Sequence, residues 1–378
     1  MFFERLLGVQ IEKQLFKGRV VVLFGARRVG KTTLVKSILA KHPGTSRYIN
    51  CDLLPNQIAL ANQNKETLRD YLGNYRLIVL DEAQRVENIG MILKIIADEL
   101  PDIQVIATGS SSFDLANKTG EPLTGRARHF LLPPLALAEI ESQVQILPFE
   151  AVSDKIMRFG FYPQIFTSSD DEARQELDEL TGGYLYKDVL EHERVRRPEI
   201  LLKLLQALAL QIGSEVSVNE LCGLLGVSKT IVENYIDLLE KCFVIFRLSP
   251  FSRNLRNELS RKKKIYFYDI GVRNSLIQNF APPELRNDKG ALWENFCIAE
   301  RMKRNINCNY LVNSYFWRTH AGKEIDYIEE RDGQLHGYEF KWSAPSRAFR
   351  APQEFLDAYE NANVVCIDRK NWYDFLVK

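Results

Sequence analysis

The segment "RVVVLFGARRVGKTTLVKSILAK", residues 19–41, sets the expectation for the first third of the chain. Residues 25–33, "GARRVGKTT", match the pattern G-x-x-x-x-G-K-S/T between an apolar run and a helical pattern. Such a loop surrounds phosphate oxygens with backbone N–H groups and directs the positive end of a helix at them. Lys31 is expected to reach the terminal phosphates and Thr32 to ligate Mg²⁺. The alternative is an ordinary strand-to-helix turn.

Short β-branched runs recur on both sides of this loop. They cover residues 19–24, 46–50, 76–80 and 103–108, and the segments between them are long enough for helices. Continuous apolar strands that alternate with helices predict a mostly parallel sheet with both faces covered. The first domain is therefore expected to be of the α/β class, with a P-loop NTPase sheet.

A second acidic element follows the third of these runs, in "RLIVLDEAQ", residues 76–84. Asp81 is placed to hold Mg²⁺ through water, as in a Walker B element, and Glu82 to orient or deprotonate an attacking water. The presence of both carboxylates favours hydrolysis as well as binding. Alternatively, the two acids only begin the next helix, where acidic residues are common.

The end of the next strand and the segment after it offer further polar groups. "IATGSSS", residues 106–112, places the hydroxyls of Thr108, Ser110 and Ser111 near the expected γ-phosphate, although a small-residue turn explains them too. "LTGRARHFLLPPL", residues 123–135, brings Arg126 and Arg128. One of them is a candidate arginine finger for a neighbouring subunit, and the alternative is a solvated pair.

Length and composition limit the classes of protein. The 378 residues suggest two or three domains, and 46% hydrophobic with 26% charged residues predicts a folded, soluble protein without a membrane span. The N-terminus reads as an amphipathic helix, not an export signal, and six scattered cysteines without a CxxC pair predict a reduced, cytoplasmic protein. With 50 basic and 49 acidic residues, nucleic acid would have to bind through local patches.

Residues 214–264 predict a winged helix. "SVNE", residues 217–220, is a capping box, and a second helix follows after Gly226, with Ile231, Tyr235, Leu238 and Leu239 on its inner face. The strand "CFVIFRL" and a basic stretch at 252–264 follow as the wing. The basic residues are Arg253, Arg256, Arg261, Lys262, Lys263 and Lys264. They suit DNA phosphates better than bases, although winged helices also serve as protein-packing modules.

The stretch "FWRTHAGKEIDYIEERDGQLHGYEFKW", residues 316–342, predicts a β-hairpin that turns at residues 332–333. Asp326 lies on one strand, and Glu339 and Lys341 share a face of the other, because side chains alternate along a strand. Upstream, "GALWENFCIAERMKR" predicts a helix that offers Glu294 or Glu300, of which Glu294 is preferred. The alternative is an ordinary hairpin with a cross-strand ion pair.

These motifs together resemble the AAA-type ATPases of bacteria and archaea that carry a C-terminal restriction-endonuclease-like domain. The resemblance rests on the P-loop, "LDEAQ", "TGSSS" and "GRARHFLLPPLALAEI", with "RFGFYPQIF" and "LYKDVLEHERV" further along. It implies ATP and Mg²⁺ as ligands. The implied nucleotide-binding residues are Gly25, Arg28, Val29, Gly30, Lys31, Thr32, Thr33 and Ser110, with Asp81 and Glu82 for metal binding and hydrolysis.

The helical acid, Asp326 and the Glu-x-Lys pair resemble the PD-(D/E)XK nuclease site. That resemblance implies Mg²⁺ on Glu294, Asp326 and Glu339, and a lysine, Lys341, that orients the attacking water. Catalysis is thus expected of Glu82, Arg126, Asp326, Glu339 and Lys341. Because no second sensor arginine can be placed, the oligomeric state stays open, a homo-oligomer included.

The predicted architecture has three parts: an ATPase domain at 1–145, a helical and winged-helix region at 146–265, and an α/β nuclease-like domain at 266–378. The favoured function is an ATP-hydrolysing, DNA-associated enzyme. The alternative is a nucleotide switch or partner-binding protein whose nuclease-like domain is inert. A small-molecule kinase is disfavoured, because no second substrate site is recognisable.

Overall fold

The computed structural model describes residues 2–62, 64–109, 123–144, 149–184, 197–253, 262–319, 321–344, 346 and 348–377, with only the backbone at 141–144, 149–152 and 184. The chain divides into two compact units, Met1–Pro134 with Lys241–Phe243, and Leu135–Glu240 with Val244–Lys378. None of the helices in this described part has the length and apolar character that crossing a bilayer requires.

The first unit is built on a five-stranded parallel sheet of order β2-β3-β4-β1-β5. Its strands are β1 Val20–Phe24, β2 Ser46–Asn50, β3 Leu77–Asp81, β4 Gln104–Gly109 and β5 Ala127–Leu131. β1, β3 and β4 are buried along their whole length. Strands covered on both faces read as continuous apolar runs, so the predicted parallel sheet is confirmed.

Helices pack on this sheet and supply most of its core. They are α1 Leu6–Glu12, α2 Lys31–Ala40, α3 Leu54–Leu60, α4 Lys65–Leu72 and α5 Ile89–Glu99, with a 3₁₀ turn at Ala83–Arg85. One contiguous cluster joins the sheet to α4 and α5, and includes Leu68, Ile92 and Ile96 without any exposed surface. The sheet thereby becomes a rigid support for the loops at its carboxyl edge.

The second unit begins with helices. These are α6 Leu137–Val144, α7 Phe149–Phe159, α8 Pro163–Thr167, α9 Asp170–Glu179, a π turn Leu180–Tyr184, α10 Pro198–Leu210, α11 Val218–Leu225, α12 Lys229–Lys241, α13 Ile270–Leu276, a 3₁₀ turn Pro283–Leu285, α14 Lys289–Asn307, α15 Gln353–Ala358 and α16 Trp372–Val377. Ser217 Oγ accepts the Glu220 N–H at the start of α11, and Gly226 ends it in the left-handed conformation. The two predicted helices and the turn between them are present.

The inner face of α12 is wider than the sequence pattern suggests. Tyr235, Leu238 and Leu239 are buried as expected, Val232 and Ile236 are buried with them, and Ile231 is only half-buried. The polar face of Lys229, Thr230, Glu233 and Asn234 is exposed. Apolar residues at both i+3 and i+4 give a stripe broad enough to pack against more than one neighbour.

A seven-stranded sheet of order β12-β11-β10-β9-β7-β8-β6 runs through the second unit. Its strands are β6 Glu215–Val216, β7 Ile245–Pro250, β8 Lys263–Phe267, β9 Asn313–Arg318, β10 Glu324–Arg331, β11 Gln334–Phe340 and β12 Ala362–Ile367. β10 and β11 form the predicted hairpin, in which Arg331 lies opposite Gln334 across the turn.

The join between β7 and β9 crosses the expected domain boundary. These strands pair in parallel, Ser249 opposite Tyr315 and Pro250 opposite Phe316. The predicted boundary between residues 265 and 266 falls inside β8, which pairs antiparallel with β7 and β6. The strands expected for the wing and those expected for the last domain are therefore parts of one sheet, and the three-domain division stays a prediction.

Helix α14 is fixed to this sheet by a buried ion pair. Arg301 donates to both carboxylate oxygens of Glu329, at 3.0 and 2.9 Å, and Asn305 donates to the same carboxylate at 2.7 Å. Burial alone would raise the pKa of Glu329, but the hydrogen bonds and charge of Arg301 hold that pKa below its usual value. A fully hydrogen-bonded buried pair holds the helix at one register on the sheet.

Candidate functional site

The loop between β1 and α2 has the backbone that its glycines predict. Gly30 adopts φ 98° immediately before α2 begins at Lys31, and Arg28 adopts φ 62°. A Cβ built on Gly25 would lie 2.4 Å from the carbonyl oxygen of Leu132, so a side chain at this position would collide with backbone. The tight loop therefore depends on glycine at both ends.

The lysine of the G-x-x-x-x-G-K-S/T pattern lies on the inner side of the loop. Lys31 is buried, and its Nζ donates to the carbonyl oxygens of Gly25 and Ala26 at 2.8 and 3.0 Å. Of the other predicted nucleotide-binding residues, Val29 is buried, Arg28 half-buried and Thr33 exposed. The ammonium is thus held on the inner side of the loop, where the motif requires it.

A contact between Arg5 and the phosphate-binding loop was not expected from the sequence. Arg5 Nη1 donates to the Val29 carbonyl at 2.7 Å and its Nη2 to the Pro133 carbonyl at 2.7 Å. The side chain is buried at the amino end of α1. No local pattern marks this contact, because the two carbonyls lie 24 and 128 residues away.

Asp81 is the meeting point of the two predicted motifs. It ends β3, is buried, and accepts hydrogen bonds from Thr32 Oγ1 at 2.7 Å, Tyr48 Oη at 2.5 Å and Thr108 Oγ1 at 2.5 Å. Burial, followed by the hydrogen bond to Asp81, raises the pKa of the Tyr48 phenol, which keeps it a donor. Hydroxyl and carboxylate oxygens are the hard ligands that Mg²⁺ prefers, so the neighbouring side chains of Thr32 and Asp81 fit that ion.

Glu82 has an unusual backbone conformation beside Asp81. It adopts φ 55° and ψ 43°, a left-handed conformation that residues with a side chain rarely take. Its N–H donates to Thr108 Oγ1 at 3.0 Å, and Gln84 Nε2 donates to its carboxylate at 2.6 Å. Thr108 therefore links Asp81 to Glu82 directly after the strand ends.

The other predicted residues of the first unit lie elsewhere or outside the description. Ser110 and Ser111 lie outside the described residues. Arg126 precedes β5, and its carbonyl accepts the N–H of Val20 at the start of β1. The loop follows the carboxyl end of β1, whereas Arg126 lies beside the amino end of β1. The length of this five-residue strand separates them by about 16 Å. Arg126 Nε donates to Asp98 Oδ1 at 2.6 Å in a half-exposed pair.

A second polar cluster lies in the second unit and contains the residues expected there. Asp326 on β10 accepts the N–H of Phe340 at 2.9 Å, and Lys341 Nζ contacts Glu339 Oε2 at 3.1 Å. Glu294 on α14 accepts from Tyr266 Oη at 2.5 Å. The alternative helical acid, Glu300, instead pairs with Lys303 and accepts the Leu137 N–H at 2.9 Å. Glu294 therefore lies in this cluster and Glu300 does not.

Lys264 belongs to this cluster, so its assignment to an exposed basic wing is wrong. It is 1% exposed, donates to Glu294 Oε1 at 3.1 Å, forms an ion pair with Glu324, and lies 4.0 Å from Asp326 Oδ1. Lys264 and Tyr266 both contact Glu294, as residues two apart on a strand share a face. Of the other basic residues, Arg253 and Lys262 are exposed, Lys263 is half-buried, and Arg256 and Arg261 lie outside the described residues.

Burial and mutual repulsion dominate the electrostatics of this cluster. Burial, and then the charge of Asp326, raise the pKa of Glu294 to about 7 and that of Glu339 to about 7. Burial alone would lower the pKa of Lys264, but the charges of Glu294, Asp326 and Glu324 raise it. Over the described residues, no group of three or more His, Cys, Asp or Glu side chains is arranged to hold a metal ion. The predicted metal at Glu294, Asp326 and Glu339 stays a prediction, and the residues present fit an ammonium.

Comparisons with known proteins separate three segments of the chain. Residues 17–141 match a family described as AAA domain, residues 152–282 match a domain of unknown function (DUF8612), and residues 289–375 match another (DUF4143). None of these matches covers half of the chain. The first match, together with the parallel sheet and its loop, supports a P-loop ATPase-like fold for the first unit.

Similar proteins occur in a bacterium and in an archaeon. The chain is 28% identical over 345 residues to an uncharacterized protein of Mycobacterium tuberculosis, which covers 90% of this chain and 74% of that protein. It is 26% identical over 345 residues to an uncharacterized protein of Methanocaldococcus jannaschii, covering 86% and 75%. A solved structure, the Walker-type ATPase of Pyrococcus abyssi, matches with a TM-score of 0.53 at 18% identity, over 73% of this chain and 96% of that one. That likeness supports the fold.

Proposed function

We propose that this protein binds ATP and hydrolyses it at the carboxyl edge of the sheet in the first unit. The observation that carries the proposal is the 2.7 Å contact between Thr32 Oγ1 and Asp81 Oδ2. It joins the end of the phosphate-binding loop to the acidic strand, as one shared Mg²⁺–ATP site requires. The AAA domain match over residues 17–141 supports the same chemistry.

Each residue has a defined part in this proposal. Loop N–H groups from Gly25 to Gly30 and the amino end of α2 bind phosphate oxygens, and Lys31 balances their charge. Thr32 and Asp81 hold Mg²⁺, which when bound polarises the terminal phosphate. Glu82 orients the attacking water and accepts its proton. Thr108, between Asp81 and Glu82, keeps the two carboxylates in a fixed relation.

The test is the rate of ATP hydrolysis by the purified chain. Lys31→Ala should lower kcat/KM about 10²–10³-fold, because it removes a charged donor from the transferring phosphate. Lys41→Ala is the matched control, since Lys41 follows the same helix and its side chain is 57% exposed in a surface pair with Glu12. Equal rates for the parent and Lys31→Ala would refute the proposal.

DNA cleavage by the second unit is a second candidate function. It is favoured by the convergence of Glu294, Asp326, Glu339 and Lys341 from one helix and two strands, in the arrangement that the PD-(D/E)XK resemblance implies. The buried pairing of Lys264 with two of these carboxylates, Glu294 and Asp326, opposes it. The competing proposal is a nucleotide switch whose second unit binds a partner without cutting.

Cleavage of linear and circular DNA with Mg²⁺ or Mn²⁺, with and without ATP, separates these proposals. Cutting that is lost in Lys341→Ala would establish a nuclease, and its loss in Lys31→Ala would show that ATP controls it. Hydrolysis of ATP without any cutting would favour the switch. If the protein binds DNA, Lys262→Ala should reduce the slope of the logarithm of the binding constant against the logarithm of the salt concentration by about 1, as expected for one phosphate contact.

A further inference from the structure

Lys264 is a lysine in the interior of the second unit that no proposed reaction uses. Its Nζ contacts Glu294 and Glu324, lies 4.0 Å from Asp326, and lies 5.4 Å from the centre of the Phe316 ring. It comes from β8, the carboxylates from α14 and β10. Three acids from two elements therefore converge on one ammonium group.

A divalent ion bound jointly by Glu294 and Asp326 would have to lie between their oxygens. Lys264 Nζ is 3.1 Å from Glu294 Oε1 and 4.0 Å from Asp326 Oδ1, so the ammonium lies against both carboxylates and would be next to any ion that bridges them. A lysine ammonium is a compact point charge that donates up to three hydrogen bonds. A metal ion beside it would meet a charge of the same sign in a poorly screened interior.

Lys264 is distinct from the lysine of the Glu-x-Lys pair. Lys341 forms a salt bridge with Glu339, and the Lys341 side chain is 52% exposed. The cluster therefore contains one lysine at its mouth and one at its centre. A nuclease-type site requires the first and leaves the second without a role.

We propose that Lys264 is a resident cation that takes the place of a divalent metal ion in this carboxylate cluster. The second unit then keeps the arrangement of acids without binding Mg²⁺ or Mn²⁺ there, and the cluster acts as a structural centre that fixes α14 against β8 and β10. This inference concerns the second unit alone and does not depend on ATP hydrolysis.

The test is Mn²⁺ binding by the full chain, followed through the electron paramagnetic resonance signal of free Mn²⁺. All proteins carry Asp81→Asn, so that the first unit contributes no metal site. In this background we expect Asp326→Asn to leave Mn²⁺ binding unchanged, because the carboxylate cluster binds no metal ion. Lys264→Ala should create one site, at least about tenfold tighter than any binding by the background protein, and adding Asp326→Asn should abolish it.

The outcomes decide the proposal in either direction. A Mn²⁺ ion bound by the background protein and lost with Asp326→Asn would overturn it, and this measurement needs no variant at Lys264. A folded Lys264→Ala that gains no Mn²⁺ would also overturn it. Lys264→Ser replaces that variant if alanine prevents folding, since its hydroxyl keeps a polar group among the acids. Lys323→Ala, at a surface pair with Glu354, is the control that should leave Mn²⁺ binding unchanged.

Discussion

The two units surround their carboxylates in opposite ways. In the first, one buried acid, Asp81, is held by three neutral hydroxyls, and the nearby lysine contacts loop carbonyls instead. In the second, several acids surround one lysine, Lys264. Hydroxyl donors stabilise a carboxylate without neutralising its charge, whereas an ammonium neutralises it. The first arrangement is suited to receiving a cation, and the second already contains one.

The largest effect is expected on ATP hydrolysis, at Glu82 in the first unit. Glu82→Gln removes the proposed base but keeps the shape of the side chain, so the rate of ATP hydrolysis should fall about 10²–10⁴-fold while nucleotide binding persists. Single-turnover hydrolysis and fluorescent-nucleotide binding measure the two separately. Glu87→Gln, an exposed acid five residues further on, is the control. Unchanged hydrolysis in Glu82→Gln would mean that the first cluster binds nucleotide without acting on it.

The next largest effect is expected on stability, at Lys264. Lys264→Met should lower the free energy of unfolding of the second unit by about 3–5 kcal/mol, because it leaves buried carboxylates without their counter-ion. All four tryptophans, Trp293, Trp317, Trp342 and Trp372, lie in this unit, so their fluorescence in a denaturant titration reports it selectively.

Lys323→Met provides the matched control for that measurement. Its partner Glu354 and Lys323 itself are about half exposed, and surface pairs contribute only about 0–1 kcal/mol. A similar loss of stability in the two variants would show that Lys264 is not the centre of the cluster.

A smaller, pH-dependent effect is expected at the Arg301–Glu329 pair. Because the pKa of Glu329 is lowered in the folded state, its contribution to stability is present above the unfolded value of about 4.5 and is lost as pH falls below it. The stability difference between the parent and Glu329→Gln should therefore be constant from neutral pH down to about pH 5.5 and shrink below pH 4.5. Tryptophan-monitored unfolding at several pH values measures it, and a difference that grows on acidification contradicts the assignment.

The smallest effect is expected at Arg126. Arg126→Ala should change ATP hydrolysis by dilute protein less than about twofold, because within one chain this residue lies at the far edge of the sheet from the loop. Hydrolysis measured across a range of protein concentrations tests this. A fall of about 10³-fold, most evident at high concentration, would establish the predicted arginine finger between subunits.

The first cluster was predictable because its signals are local. The loop spans nine residues, Asp81 directly follows an apolar strand, and parallel strands bring their carboxyl ends to one edge. What the sequence did not indicate is Arg5, whose partners lie on distant segments. The left-handed conformation of Glu82 was equally unexpected, since glutamate carries no preference for it.

The second cluster was predictable only in part. Asp326, Glu339 and Lys341 lie within one hairpin, so strand alternation was sufficient to bring them together. Lys264 lies in a run of basic residues that reads as a solvated surface, and its burial depends on the pairing of β8 with β6 and β7. The alternation in "KKIYF" places Lys264 on the face of Tyr266, and this was the one available signal that it points inward.

The parallel join between β7 and β9 affects how the chain can be divided for expression. A fragment that starts at residue 266 would lose β7 and expose the edge of β9, and an unpaired edge promotes aggregation. It would also carry Glu294, Glu324 and Asp326 without the lysine that neutralises them. Residues from both sides of residue 265 should therefore unfold as a single cooperative block, with amide protons of β7 and β9 exchanging together. Because the second compact unit begins at Leu135, a fragment for isolated study should start near that residue.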